Sequence, residues 1–315
     1  MPKSQRRKLA GSTVVISGAA SGIGRSLARR LSGHGCPVAL SDIDETGLKE
    51  TAASLTGPVL TQALDVSDAA AQREFADQVR RWMPAPLGGV FNNAGVATAA
   101  SVLNAVPEDH DWLFGINFTG VVNGTRAFLP ILVEQDSGVV VNTSSVFGLV
   151  GMPYQSSYCA AKFAVRGFTD SLRQELRGTG VGAVNVHPGG IRTNIVRNAR
   201  YRGDPEGLGR SHEQAVREFD AITMTTPDKA AAVIHRGVEA GKARILVGPD
   251  AYLFDILGRV APTRYFDVMA AAQDRLRSRV ERRTASGGAA VTPDRPPAPL
   301  SAADAAARAV TAVNS

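Results

Sequence analysis

Short apolar runs alternate with longer stretches of helical spacing from residue 12 to about residue 248. The runs fall at 13–17, 38–41, 59–64, 89–92, 139–143, 182–186 and 244–247. Several are continuously apolar, as in Val139-Val140-Val141, which is what a parallel strand buried on both faces requires. Between the runs, apolar residues return every three or four positions. Leu27, Ala28 and Leu31 share one face of 24–32, and Phe75, Val79 and Trp82 share one face of 69–82. This alternation predicts an α/β fold: a single doubly wound parallel sheet of about seven strands with helices on both faces. No repeat is visible at solenoid periods.

Three motifs add chemistry to this frame. Ser17-Gly18-Ala19-Ala20-Ser21-Gly22-Ile23-Gly24 follows the first strand and opens a helix. Glycines there let the backbone turn tightly and approach a pyrophosphate, whose charge then rests at the helix N-terminus. The spacing Gly-x-x-x-Gly-x-Gly departs from the commoner dinucleotide fingerprint. Its place between strand and helix makes the sheet Rossmann-type, with Gly18, Ser21, Gly22, Ile23 and Gly24 as candidate cofactor-binding residues. Asp42 closes the second apolar run, about 20 residues on, where a carboxylate accepts hydrogen bonds from ribose hydroxyls and repels a 2′-phosphate. Asp42 and Asp44 both also precede a helical pattern, so helix capping is the competing role. Arg25, just inside the helix, is the cation within reach of such a phosphate. The third motif, Tyr158-Cys159-Ala160-Ala161-Lys162, sets a phenol and an ammonium on one helical face. A nearby cation lowers a phenol pKa from about 10, and a tuned phenol exchanges a proton with an alcohol or carbonyl. The plainer alternative is a surface tyrosine beside a solvated lysine.

In this order the motifs resemble the short-chain dehydrogenase/reductase family of ordinary length, over roughly 10–250. Asp65-Val66 matches the family's adenine-contacting pair, and Asn92-Asn93-Ala94-Gly95 its fourth-strand motif. Asn117 falls at its proton-relay asparagine. Ser145, which ends Asn142-Thr143-Ser144-Ser145, stands 13 residues before Tyr158, as in the family, and that spacing selects it over Ser144. Pro188-Gly189-Gly190-Ile191-Arg192-Thr193 follows the sixth run as the family's nicotinamide-contacting turn does. Ser17 replaces a common threonine, and Cys159 is less usual than Ser or Ala.

The resemblance implies an NAD(P)-dependent oxidoreductase interconverting a secondary alcohol and a ketone. Tyr158 would transfer the proton and Ser145 would hold the substrate oxygen. Lys162 would lower the Tyr158 pKa and hold the nicotinamide ribose, and Asn117 would keep a water linking Lys162 to solvent. Asp65, Val66, Asn93, Ala94, Gly95, Pro188 and Gly189 would line the cofactor, with Ile191 and Thr193 on its carboxamide. Asp42 favours NAD over NADP. The family's dimers or tetramers pair through the helices around Asn117 and Tyr158. The rival class is a silent cofactor-sensing or scaffold protein; the presence of all four catalytic residues weighs against it.

Composition narrows the picture further. With 44% hydrophobic and 20% charged residues the chain is ordinary globular material, not disordered, collagen-like or coiled-coil. No run approaches the roughly 18 apolar residues of an integral membrane segment, and the run at 13–16 is too short for a signal peptide. Two cysteines, Cys36 and Cys159, build neither a disulfide framework nor a four-ligand zinc site, so no metal is expected and a reducing cytoplasm fits. The net charge of +6 gathers at the ends, in Lys3, Arg6, Arg7 and Lys8 and in Arg275, Arg277, Arg279, Arg282 and Arg283. Without base-stacking aromatics or a DNA-binding motif, nucleic acid is not expected; solvated ends that aid solubility or touch anionic surfaces are.

The expected organisation is a basic extension over 1–10, a Rossmann catalytic domain over 11–250, a helical extension over 251–284 and a disordered Ala/Pro-rich tail over 285–315. A short helical pattern recurs at 302–313. The segment 197–224 breaks the rhythm with Gly203, Pro205, Gly207 and Gly209 and suits a lid. The apolar loop between Ser145 and Tyr158, with 251–269 as a second wall, points to a bulky apolar substrate, although arginines in 197–217 leave room for an anionic tail. The competing role for 251–269 is a subunit contact. His187 reads as packing, His34 and Cys36 as a turn, and the aromatic pattern 112–118 as a core face.

Overall fold

The computed structural model describes residues 7–202 and 211–268. In chain order the elements are β1 (Thr13–Ser17), α1 (Gly22–Ser32), β2 (Val38–Asp42), α2 (Glu45–Ala53), β3 (Val59–Ala63), α3 (Ala69–Trp82), β4 (Leu87–Asn92), β5 (Thr98–Ala99) and α4 (Pro107–Phe114). A π turn (Gly115–Thr119) leads into α5 (Gly120–Glu134), followed by β6 (Gly138–Thr143), a 3₁₀ turn (Val146–Gly148), α6 (Ser156–Glu175) and β7 (Val181–Pro188). The chain continues through β8 (Arg200–Tyr201), α7 (His212–Ile222), α8 (Pro227–Glu239), β9 (Arg244–Val247) and α9 (Pro249–Val260).

Seven strands form one sheet in the order β3-β2-β1-β4-β6-β7-β9, every pair parallel. The order reverses between β1 and β4, so the strand ends open a crevice there on the carboxyl side. Alternation along β1 explains the two layers. Val14 and Ile16 join Leu27 and Leu31 of α1 and Ile234 and Val238 of α8. Val15 faces the other way, toward Phe75 and Val79 of α3 and Phe128 and Leu132 of α5. Phe75 and Phe128 meet edge to face with centroids 5.9 Å apart. The Asp44 carboxylate caps α2 through Gly47 N, and Asp68 caps α3 through Ala70 N and Ala71 N.

All seven predicted strands form. The fourth begins earlier, at Leu87, and the sixth runs on through His187 and Pro188 because β9 pairs with both. The two-residue pairing of β5 with β8 carried no sequence signal. Part of the expected solvated N-terminal extension is packed instead. Leu9 is buried, and Arg7 Nη1 donates to Gly138 O (2.6 Å) and Gly180 O (2.8 Å), tying together the entries to β6 and β7. The boundary drawn at 250 falls within α9. Residues 1–6, the Gly/Pro stretch of the expected lid, the arginines at 275–283, and the tail with its pattern at 302–313 lie outside the described residues. Among the described residues, no helix is long and apolar enough to cross a membrane.

Candidate active site

The glycine loop lies at the crevice. Gly18 has φ +67, and a Cβ there would stand 2.7 Å from Ala94 Cα, so the fourth-strand motif packs directly on the loop. Ser17 Oγ accepts from Asn93 N (3.0 Å) and Ala94 N (3.2 Å), and Asn93 Nδ2 donates to Ser17 O (3.3 Å). The hydroxyl kept in place of the family's threonine therefore has a structural task. Ser21 is the N-cap of α1 without a side-chain cap, and no acid stands in the first turn. Those uncapped amides, under a loop with no side chains in the way, fit a phosphate. Ile23 packs partly into the core. Thr193 closes the far side: a Cβ on Gly22 would lie 3.2 Å from its methyl.

Asp42 and Asp44 separate their competing roles. Asp44 caps α2, whereas Asp42 Oδ2 accepts from Ala20 N (2.9 Å) and Oδ1 from Asp44 N (3.0 Å), fastening the carboxylate beside the glycine loop. Arg25 is already engaged, donating to Ala20 O, to Gly47 O (3.3 Å) and to Glu50 Oε2 (3.1 Å). Asp65 is exposed and accepts from Ser67 N and Oγ (both 2.8 Å); Val66 is buried against Gly120.

At the ends of β4 and β6 the four candidate catalytic residues come together. Ser145 caps the 3₁₀ turn, its Oγ accepting from Phe147 N (3.1 Å). Ser144 points elsewhere, donating to Lys162 O (2.8 Å) and tying α6 to β6. Tyr158 and Lys162 share the inner face of α6, with Nζ 5.6 Å from the phenol ring centroid and donating to Thr143 O (3.1 Å). A Cβ on Gly95 would meet Asn117 Oδ1 at 3.2 Å and Lys162 Nζ at 3.4 Å, which fixes these groups around one point.

One expectation needs correction. Lys162 does not bring the Tyr158 phenol down: burial pushes it up to about 12, and the opposing influence is a hydrogen bond with Ser145. Burial also lowers Lys162 to about 8, because both charged forms are short of water. The Asn117 side chain pairs with Val96, accepting from its N (2.8 Å) and donating to its O (2.9 Å). Ile191 is packed into the core beside α8, leaving only its backbone for a cofactor.

Sequence reasoning also missed supporting residues. His187, fully buried, has Nδ1 3.0 Å from Ser145 O; burial holds its pKa down to about 4. The ring is therefore neutral, and a carbonyl partner assigns its proton to Nδ1. Asp250 Oδ2 accepts from Gly190 N (2.6 Å) and Gly189 N donates to Val247 O (2.9 Å), clamping the turn after Pro188. The aromatic run 112–118 is a core face, as expected, and the core it joins is the one around Tyr158: Trp112, Leu113, Phe114 and Phe118 share one cluster with it, joined by Phe147 and Ile195.

A shallow open recess adjoins this cluster, with Ser156 and Ser157, the residues before Tyr158, in its wall. Arg200 and Arg202 hold the buried Asp109 there, Arg202 through Nε (2.6 Å) and Nη2 (3.0 Å), while Arg200 lies 3.8 Å over the Trp112 ring. The Asp109 carboxyl is held below its ordinary value chiefly by Arg202. Tyr154, also in the wall, adopts φ +62, a strained conformation for a tyrosine.

Comparison with known proteins agrees with this geometry. The short chain dehydrogenase family profile matches residues 12–203. SadH of Mycobacterium tuberculosis, named as an oxidoreductase, is 41% identical over 267 residues, 83% of this chain and 95% of its own length. Levodione reductase of Leifsonia aquatica is 34% identical over 227 residues, 70% of this chain and 85% of that one. Among solved structures, a short chain dehydrogenase/reductase from Burkholderia phymatum in complex with NAD superposes with TM-score 0.73 at 29% identity, covering 84% of this chain and 96% of the other.

Proposed function

Because this chain belongs to the short-chain dehydrogenase family of oxidoreductases, we propose that it interconverts a secondary alcohol and a ketone on a bulky, mainly apolar substrate. The cofactor is a nicotinamide dinucleotide, NAD in preference to NADP. The observation that carries this reading is the convergence of Tyr158, Ser145, Lys162 and Asn117 at the edge of an apolar cluster that Tyr158 joins.

Gly18, Ser21, Gly22, Ile23 and Gly24 would hold the pyrophosphate, Asp42 the adenosine ribose, and Asp65 and Val66 the adenine. Asn93, Ala94, Gly95, Pro188, Gly189, Ile191 and Thr193 would frame the nicotinamide end, with Tyr158 and Lys162 at its ribose. When bound, the nicotinamide accepts or gives a hydride. The chain's own residues manage the oxygen and its proton. Tyr158 donates its proton to a forming alcohol, or takes one from an alcohol being oxidised. Ser145 hydrogen-bonds both that oxygen and the phenol, and His187 keeps Ser145 in position. Lys162, 5.6 Å from the centre of the phenol ring, would hold the nicotinamide ribose. Phe147, Trp112 and Phe118 exclude water and suit an apolar substrate body.

The engagement of Arg25 with Glu50 and the fixed Asp42 carboxylate both favour an unphosphorylated ribose. Two buried free thiols, Cys36 and Cys159, are compatible with the cytoplasm. As the family resemblance implies, the chain would assemble as a dimer or tetramer through α4, α5 and α6. The test is absorbance at 340 nm with a panel of secondary alcohols and ketones, run with NAD and with NADP. Turnover of steroid-like, terpenoid or acyl-chain substrates with NAD is expected. Faster turnover of small polyols or sugars, or higher kcat/KM with NADP, overturns the corresponding part.

A further inference from the structure

The chain after β9 touches both sides of the candidate site. Asp250, in the first turn of α9, accepts from Gly190 N (2.6 Å) and so holds the turn that follows Pro188. One turn on, the Phe254 ring meets Phe147 edge to face at 6.5 Å, and Phe147 meets Tyr158 in the same way at 6.1 Å. A further turn on, a Cβ at Gly258 would stand 3.0 Å from Val150 Cγ1 and 3.3 Å from Leu149 O, so the helix lies close on the loop between Ser145 and Tyr158. Asp250, Phe254 and Gly258 stand four apart, on one face of α9. Beyond the helix the chain turns back, with Tyr265 N donating to Ala261 O (2.8 Å). The Tyr265 hydroxyl then both accepts from Gly151 N and donates to Gly151 O, each at 2.9 Å.

That double bond meets a local need. Gly151 stands outside any helix or strand, so its amide and carbonyl have no ladder to join, and one phenol hydroxyl satisfies both. A side chain at 151 would press on the hydroxyl, its Cβ 3.1 Å away, and glycine leaves the room. The same loop carries Tyr154 at φ +62, a conformation that persists only where the surroundings hold it. We propose that Tyr265 is a positioning residue for the substrate side of the site, and that Asp250, on the same element, is its counterpart for the cofactor side. The inference rests on the alcohol–ketone reading, in which the loop after Ser145 borders the substrate body and the turn after Pro188 borders the nicotinamide. Tyr265 acts through Gly151, and Asp250 through Gly190, so one rigid helix fixes the spacing of the two walls.

The test sets Tyr265→Phe against Asp250→Ala in the full chain. The readouts are hydrogen exchange of the loop, NADH titration by fluorescence, and steady-state kinetics with the panel ketone that wild type reduces fastest. Tyr265→Phe keeps the ring and removes both bonds to Gly151. Its amides around Gly151 should exchange faster than in wild type. Its KM for the ketone should rise about three- to tenfold, the factor lost with one or two such bonds, at unchanged kcat and NADH Kd. Asp250→Ala should reverse the pattern, weakening NADH by a similar factor and leaving exchange around Gly151 unchanged. Gly151→Ala alone should also raise the ketone KM, yet add little in a Tyr265→Phe background, because the hydroxyl it crowds is gone. Faster exchange with an unchanged KM overturns the positioning role, as does a Tyr265→Phe variant that loses NADH affinity in step with KM, or strict additivity with Gly151→Ala. A wild-type chain that turns over no alcohol or ketone overturns the proposed reaction and the substrate role with it, whereas an unchanged KM beside normal wild-type turnover overturns only the role of Tyr265.

Discussion

A methyl group at Gly24 tests whether the glycine loop is the phosphate cradle. In Gly24→Ala the new Cβ would lie 2.0 Å from Gly18 O, 2.7 Å from Gly18 C and 2.8 Å from Asn93 Nδ2. Ordinary contacts of this kind begin at about 3.5 Å, so the Gly18 carbonyl has to retreat by more than about 1 Å. It has no free direction, because Gly18 already packs on Ala94 and Asn93 Nδ2 is bonded to Ser17 O. Overpacking of this kind costs about 1–3 kcal/mol, offset by up to about 1 kcal/mol of helix propensity gained at an α1 position. A net loss of roughly 1–2 kcal/mol lowers the Tm of a domain this large by only about 2–8 °C. Cofactor binding should suffer more. A loop displaced by that distance forfeits one or more charge-assisted amide bonds worth about 1.5–3 kcal/mol each, or roughly ten- to a hundredfold in Kd. The assays are fluorescence titration with NADH and a thermal melt, with Gly167→Ala as the control. A Cβ at Gly167 meets nothing within 4 Å, so that variant should bind normally and melt no lower than wild type. Normal NADH affinity in Gly24→Ala at an unchanged Tm would refute the cradle.

Four further outcomes are expected. Tyr158→Phe should lose at least about 10²-fold in turnover, with a much smaller loss of NADH affinity; near-normal turnover on the true substrate would remove Tyr158 from the proton step. Asp42→Ala should erode the preference for NAD, read as the ratio of kcat/KM values for the two cofactors; an unchanged ratio would assign the preference elsewhere. His187→Leu should loosen Ser145, whose hydrogen bond holds the phenol down, and so move the alkaline rise of alcohol oxidation to higher pH. His187→Asn keeps a donor and should leave the profile in place, while coincident profiles for both variants would deny the link. Asp109, held below its ordinary carboxyl value by Arg202 and Arg200, contributes stability that is present above about pH 4 and lost as pH falls through its lowered folded-state value. Asp109→Asn should therefore melt lower than wild type at neutral pH and converge with it in acid, and a constant offset would contradict this assignment.

What the sequence made legible follows from how local each constraint is. A strand buried on both faces writes itself as a continuous apolar run, so β1, β2 and β6 could be read directly, and a loop that excludes side chains writes itself in glycine. Spacing separated Ser145 from Ser144, and the hydrogen bonds give the two neighbours different jobs: Ser144 donates to Lys162 O, while Ser145 keeps its hydroxyl near Tyr158. Roles that depend on distant partners left no such mark. Asp250 reaches Gly190 across 60 residues, and His187 touches Ser145 across 42, so each looked like an ordinary polar residue in its own segment. The aromatic run 112–118 has the helical spacing of any core face, and only the sheet's geometry turns that face toward Tyr158. The Tyr158–Lys162 pair shows the limit most clearly. Its i,i+4 spacing places the two groups on one face, but burial pushes the phenol up, and what opposes it is Ser145 rather than the lysine. Charge chemistry read from spacing assumes a dielectric, and the dielectric is set by Leu113, Phe147 and Phe118, which lie in other parts of the chain.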